Sequence, residues 1–306
     1  MPASEQPRTR LEELLQRRHW TVDDLRRRFA QAQAFSLLNG RHPAARTREL
    51  YLLAGVASGL MARASHDLGA SREAMTQARA TYACADNAGH DGLRTWARGL
   101  QALIAYWAGN PAESVSYSQR GTPAASRTPS TAAVWLASLE ARSLAALGHW
   151  SEVHSAVDRA NKSRDHATGD ELDDLGGLCT FTRARQLYYA ADALAWSAAE
   201  ADQAEARAVA AVDAYAVVPE AARAFGDHAG TRCALAITRI SRGDVEGAAH
   251  AVATVLDMPP AQRTYGIVTS VGHVQRALAI VAGGSAGSEL TDRLRDFTTR
   301  RMAIPS

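Results

Sequence analysis

The feature that most constrains this chain is one short turn, written four times. Leu68-Gly69-Ala70-Ser71-Arg72-Glu73-Ala74, Ala108-Gly109-Asn110-Pro111-Ala112-Glu113-Ser114, Leu147-Gly148-His149-Trp150-Ser151-Glu152-Val153 and Arg242-Gly243-Asp244-Val245-Glu246-Gly247-Ala248 are variants of one pattern, their first glycines 40, 39 and 95 residues apart. The last interval has room for about two units, the middle one eroded. Glycine ends one helix, and a carboxylate in the following turn suits the start of the next. A fixed period of this size is the signature of stacked helical hairpins, each burying its apolar face against its neighbours.

The remaining pattern agrees. Periodicity predicts helices over 46–68 and 71–88, 91–108 and 111–120, 130–147 and 151–162, 171–195 and 199–217, 220–242 and 244–257, and 261–282 and 287–302, with Gly, Pro or Asn at the breaks. No segment sustains period-two alternation of β-branched residues, so an all-α chain of about six hairpins follows. Three regions are expected: a polar, disordered stretch over 1–10, a short helical segment over 11–44 and a repeat domain over 45–306. Within the second, Leu11, Leu14 and Leu15 form one helical pattern, and Leu25 and Phe29, behind a Thr21 cap, form another. Together they look like the opening of a helix-turn-helix. Asn39-Gly40-Arg41-His42-Pro43 breaks the chain before a full DNA-reading domain could be built.

Composition narrows the function classes. A net charge of +2 offers no bulk attraction to nucleic acid or membrane. Lys162 is the only lysine among 34 basic residues, so nearly every cation is the planar fork that matches carboxylates and phosphates. That bias also suggests a GC-rich, actinobacterial-like genome. Cys84, Cys179 and Cys233 are widely spaced without a CxxC pair, which indicates neither a disulfide framework nor a zinc site. There is no apolar signal region and no membrane-length apolar run, so a soluble cytoplasmic protein is expected.

The turn and the residues around it resemble the tetratricopeptide-repeat family. When the turns are aligned, the family's small-residue site on the first helix of each hairpin falls on Ala62, Ala102, Ala141 and Ala236. Those on the second helix fall on Ala74, Ser114, Val153 and Ala248, and on Ala78, Ser118, Val157 and Val252. Small side chains there let two helices cross closely. The period is nearer 40 than the family's 34, so the helices are longer. The resemblance implies a right-handed superhelix with a concave groove lined by first helices. Residues 48–109, including Arg48-Glu49-Leu50-Tyr51, Ser65-His66-Asp67-Leu68-Gly69, Cys84-Ala85-Asp86-Asn87-Ala88-Gly89-His90 and Ala105-Tyr106-Trp107, are also similar to the sensor half of actinobacterial regulators. Those regulators carry a Cro/repressor-type helix-turn-helix ahead of that half.

The same alignment places Val56, Gly59, Arg63 and His66 on the groove face, then Trp96, Gly99, Leu103 and Tyr106, then Trp135, Ser138, Arg142 and Ala145. Arg63, His66, Trp96, Tyr106, Trp135 and Arg142 would offer flat apolar area beside carboxylate-binding forks, although both tryptophans could equally pack between hairpins. Tyr189, with Tyr188, Arg183, Arg185 and Gln186, would extend the groove. Other candidates reduce to structural roles. His149 and His154 are poorly spaced for joint ligation, Cys84 and His90 read as a core thiol and a loop imidazole, and Asp170, Glu171, Asp173 and Asp174 read as a helix start. Arg293, Arg295, Arg300 and Arg301 belong to a helix end, and Gly283-Gly284-Ser285-Ala286-Gly287 is a connector without a phosphate-loop context. No cofactor or metal is implied. The expected function is a non-enzymatic regulatory or adaptor protein binding a peptide, a protein segment or a small-molecule effector, with direct nucleic-acid binding disfavoured and the oligomeric state open. The alternatives are a ligand-sensing transcriptional regulator and an enzyme of specialised metabolism built on the array.

Overall fold

The four glycine turns share one backbone conformation and two hydrogen bonds. Gly69, Gly109, Gly148 and Gly243 have φ of 77°, 81°, 75° and 82°, a region open to glycine and costly for other residues. The residue after each glycine donates its N–H to the carbonyl five positions back: Ala70 to Ser65, Asn110 to Ala105, His149 to Leu144 and Asp244 to Arg239, at 2.9–3.0 Å. Each glycine N–H reaches three positions back. This paired bonding satisfies the last carbonyls of one helix, and the next helix starts two or fewer residues later.

The computed structural model describes residues 22–218, 225–281 and 285–299, and among them all regular structure is helical. The α-helices are α1 (Val22–Leu38), α2 (Ala44–Asp67), α3 (Ser71–Ala88), α4 (Asp91–Trp107), α5 (Pro111–Ala125), α6 (Thr131–Ala146), α7 (Trp150–His166), α8 (Arg183–Leu194), α9 (Ala201–Ala216), α10 (Phe225–Ser241), α11 (Val245–Leu256), α12 (Tyr265–Val281) and α13 (Ser285–Thr299). From α2 onward they pair as six hairpins, and the first helices α2, α4, α6, α8, α10 and α12 pack side by side in chain order. The aligned small residues lie where helices meet. Ala62, Ala74, Ala78, Ala102, Ser114, Ser118, Val153, Ala236, Ala248 and Val252 are fully buried, and Ala141 and Val157 nearly so.

Glycine also sets how closely the first helices approach. A Cβ at Gly59 would collide with the Trp96 ring, and one at Gly99 would sit 2.7 Å from the Trp135 ring. Trp96 and Trp135 thus each lie on a bare stretch of the preceding first helix. The row curls until its ends meet: α12 reaches α2, the Tyr265 hydroxyl donates to the Trp107 carbonyl at 3.1 Å, and the Tyr265 ring rests on Gly69. Ahead of the first hairpin α1 packs on α2, and the Gln31 amide donates to Ser58 Oγ of α2 at 2.8 Å and to Gln77 Oε1 of α3 at 2.7 Å. No described helix is long and apolar enough to cross a membrane.

The largest departure from the expected helices falls at 171–182. Instead of a helix there, the chain forms two short 3₁₀ turns, Asp173–Leu175 and Gly177–Cys179, joined through Gly176 and Gly177 in left-handed conformations. The acidic run therefore serves a neighbouring helix rather than its own. Asp173 accepts from the backbone N–H of Thr131 at 3.1 Å and from the Thr131 hydroxyl, at the start of α6, while Asp170 accepts from Thr128 and from the N–H of Leu172. Helix α8 begins only at Arg183, capped by Thr182. The α8–α9 turn has no left-handed glycine, which is why the recurring turn vanishes there. The Leu11 pattern, the Thr21 cap, the 1–10 stretch, Gly283, Gly284, Arg300 and Arg301 lie outside the described residues.

Two substitutions separate these uses of glycine. Gly59→Ala drives a methyl into Trp96 and is expected to cost about 1–3 kcal/mol. Gly148→Ala meets nothing within 4 Å and is expected to cost about 1–2 kcal/mol through backbone conformation alone. Urea midpoints check both, and adding Trp96→Leu should recover part of the first loss and none of the second.

Candidate functional site

Because the first helices curl inward, all six contribute to a single small cavity. Its walls include Arg63, His66 and Asp67 from α2, Leu103 and Trp107 from α4, and Arg142 from α6. Tyr188 and Tyr189 come from α8, Gly226 and Asp227 from α10, and Gly266, Ile267 and Ser270 from α12. Its volume is about 30 Å³, enough for a water or a few ligand atoms.

Arg142 dominates one wall. Its side chain is 2% exposed, its Nε donates to Asp192 Oδ2 at 2.5 Å, and its Nη2 donates to the Tyr188 hydroxyl at 2.7 Å. The guanidinium carbon lies 4.7–5.2 Å from the ring centres of Tyr106, Trp107, Tyr188 and Tyr189, so aromatic faces enclose the charge. Burial alone would weaken its hold on the proton, but Asp192 and the tyrosines outweigh that and raise its pKa well above the usual value. Behind it, Arg185 Nε donates to Asp227 Oδ2 at 2.8 Å, Nη1 to the Thr180 carbonyl at 3.0 Å, and the guanidinium lies 5.1 Å from the Phe181 ring centre.

The opposite wall has unmade bonds. Arg63 and His66 lie three residues apart on one face of α2, and neither Arg63 Nε nor His66 Nδ1, both buried, has a hydrogen-bond partner. Arg63 Nε stands 3.5 Å from Asp67 Oδ1. Desolvation works against the Arg63 proton, yet Asp67 and Asp227 together raise its pKa. His66, 2% exposed, has its pKa pushed down to about 3 by burial and by the charges of Arg63 and Arg142. Tyr106 is pushed up to about 12, chiefly by burial with Asp192 adding to it. On the outer side of Trp107, His273 stacks on the indole at 6.1 Å, meets Trp196 edge-on, and has its pKa lowered by burial to about 4.

Of the seven residues expected on a groove, Arg63, His66, Arg142 and Tyr189 line the cavity, and Tyr106 lies behind it against Arg142. Trp96 and Trp135 do not. Trp96 is 1% exposed and donates its indole N–H to the Leu178 carbonyl at 3.2 Å, while Trp135 is 3% exposed and donates to the Tyr189 hydroxyl at 3.3 Å. Both are core side chains between hairpins, because the glycines beneath them admit a whole ring. The residues not anticipated are Trp107, Asp192, Asp227, Tyr265 and His273. Asp192 carried a usable signal, being a lone carboxylate in the otherwise apolar run Tyr188-Tyr189-Ala190-Ala191-Asp192-Ala193-Leu194.

Among the other candidates, His90 Nδ1 accepts from the Leu93 N–H at 3.0 Å as the cap of α4, and burial pushes the Cys84 thiol up to about 11. His149 and His154 face different carboxylates, Glu152 and Glu200. Arg293 and Arg295 pair with Asp257 and Asp292. No group of metal-ligating side chains occurs among the described residues. Neither a scan against protein-family models nor a search of curated proteins finds a match for this chain.

The two depressed histidines set an acid limit on stability. In the unfolded chain they take up protons below about pH 6.5, whereas the folded protein holds them neutral until about pH 4 for His273 and about pH 3 for His66. Their contribution is complete above pH 6.5 and is lost as the pH falls, by about 1.4 kcal/mol per pH unit for each. Urea unfolding should lose roughly 2–3 kcal/mol between pH 6 and pH 5, and His273→Gln should remove about half of that slope. A flat profile over this interval would contradict the assignment.

Proposed function

We propose that this protein is a non-enzymatic regulatory or adaptor protein, a tetratricopeptide-like helical array that takes a ligand or partner segment on its inner side. The observation that carries this reading is the convergence of all six first helices on one cavity, where Arg63 Nε and His66 Nδ1 are buried without a hydrogen-bond partner. A site shared by every hairpin couples occupancy to the arrangement of the whole array, which suits a sensor or an adaptor.

The chemistry of the walls favours binding over turnover. A general acid or base works best with a pKa near the operating pH. Here His66 is held at about 3 and Tyr106 at about 12, so one is a weak base and the other a weak acid at pH 7. The buried thiol of Cys179 is pushed up to about 12, chiefly by burial, away from the thiolate a nucleophile needs. Arg142 is already bonded to Asp192 and Tyr188, which leaves a preformed wall rather than a mobile group. Three separate reduced cysteines suit a cytoplasmic setting.

Thermal unfolding of the full chain at pH 7, against amino acids, small carboxylic acids and short acidic peptides, tests the reading. At a hundredfold excess over Kd a true ligand contributes about 2.7 kcal/mol, a rise of about 5 °C for a chain of this size. At least one compound should give such a saturable rise and be recovered unchanged. No rise with any compound, or conversion of the stabilising compound to a product, would overturn it.

A further inference from the structure

We propose that Arg164, Arg183 and Arg207 form a site for a phosphate group carried by a small molecule, set where the second helices α7 and α9 flank the first two turns of α8. It shares no wall residue with the central cavity and stands independently of the ligand reading given to that cavity.

Convergence is the first support. Arg164 comes from α7, Arg183 opens α8 and Arg207 lies on α9. Gln186 Oε1 accepts from Arg164 Nε at 2.9 Å and from Arg183 Nη1 at 3.0 Å, so two guanidiniums meet on one neutral oxygen. The same amide donates from its nitrogen to Asn161 Oδ1 at 3.0 Å, which fixes its orientation. Asn161, Arg183, Gln186 and Arg207 line one narrow gap, and this brings the third arginine to the same place. Arg207 makes no hydrogen bond among the described residues.

Charge is the second. Arg159, Arg185, Arg239 and Arg242 each hold a carboxylate at 2.5–3.0 Å, whereas Arg164, Arg183 and Arg207 form no ion pair among the described residues. The carboxylates that act on them from further away are Asp173 on Arg164, and Asp158 and Glu200 on Arg207. Asp173 is already bonded to Thr131, and Glu200 lies 3.2 Å from His154. Burial, and after it repulsion by Arg183, lower the pKa of both Arg164 and Arg207. Like charges gathered without a counterion raise the energy of the folded chain, and an anion bound among them removes that penalty. Helix α8 adds to the field, since its first turn holds no acidic residue and Arg183 stands at its positive end, where a cation is disfavoured and an anion favoured.

The number of donors selects phosphate. One guanidinium fork serves a whole carboxylate, whereas three forks require an anion of higher charge with acceptors on several sides. A phosphate monoester carries about −1.5 to −2 at pH 7 and three acceptor oxygens, which the planar donors of arginine match. The gap beneath the cluster is about 10 Å³, the size of one water. The phosphate therefore lies at its mouth beside the exposed Arg183, with the rest of the molecule outside.

The test titrates the full chain at pH 7 with inorganic phosphate, methyl phosphate, acetate and an N-acetylated phosphoserine tripeptide amide, each against chloride at the same ionic strength. Binding is followed by calorimetry and by thermal unfolding. Saturable binding of a phosphate is expected, with acetate about ten-fold or more weaker. Arg183→Gln should weaken the Kd for phosphate about ten-fold or more without lowering the Tm in chloride, because it relieves the repulsion on Arg164 and Arg207. An arginine kept for structure alone would lower that Tm. Arg207→Gln should weaken the Kd to a similar extent, and Arg295→Gln, which removes an exposed cation of α13, should leave it unchanged. Binding of methyl phosphate assigns a monoester, and binding of inorganic phosphate without it assigns the free ion. No phosphate binding to the wild type, a Kd unchanged in Arg183→Gln and Arg207→Gln, an equal loss in Arg295→Gln, or binding of the phosphopeptide alone would overturn the site. Each of those results leaves the reading of the central cavity standing.

Discussion

A guanidinium buried at the centre of the molecule is the constraint on which the rest of the structure depends. Arg142 cannot lie there unless its charge is matched and its donors are bonded, since an unpaired buried charge is strongly destabilising. The matching groups come from elsewhere in the chain: Asp192 and Tyr188 from α8, Tyr106 and Trp107 from α4. One side chain thereby fixes three hairpins relative to one another. Trp107 passes the constraint on, because its carbonyl receives the Tyr265 hydroxyl and its ring stacks with His273 of α12.

This arrangement explains why an array of hairpins has a filled interior. An open solenoid keeps its concave face in water and binds partners along it. Here Trp96 and Trp135 lie on Gly59 and Gly99, and two buried arginine–aspartate pairs occupy the space between the inner helices. The inner face has become core, at the cost of leaving Arg63 Nε and His66 Nδ1 unbonded. Those two atoms give the remaining cavity its chemical character.

The parts of the fold that depend on local geometry were legible in the sequence. A left-handed glycine is needed wherever the turn ends a helix, so Gly69, Gly109, Gly148 and Gly243 marked the register, and the alanines aligned from them are buried. That register also brought Arg63, His66 and Arg142 to one face. It could not show how far the face would close. Trp96 and Trp135 were placed on the correct helices, but whether an indole points into a groove or onto a neighbouring helix depends on the glycine opposite, in another hairpin. The register of the fourth hairpin was unreadable for a physical reason: its turn uses a right-handed Ala195 and its approach is an acidic loop whose Asp173 caps α6. Asp192 stood out as the lone carboxylate of its run, but without a register it could not be matched to Arg142.

If the Arg142 centre joins the hairpins as described, the array opens as one unit rather than repeat by repeat. Native-state hydrogen exchange across a urea series measures this directly. The amides of α2, α6 and α12 should share one free energy of opening in the wild type and separate in Arg142→Met, with α12 opening first. Independent, lower-energy opening of α12 in the wild type, as in a solenoid whose units contact only their neighbours, would contradict the account.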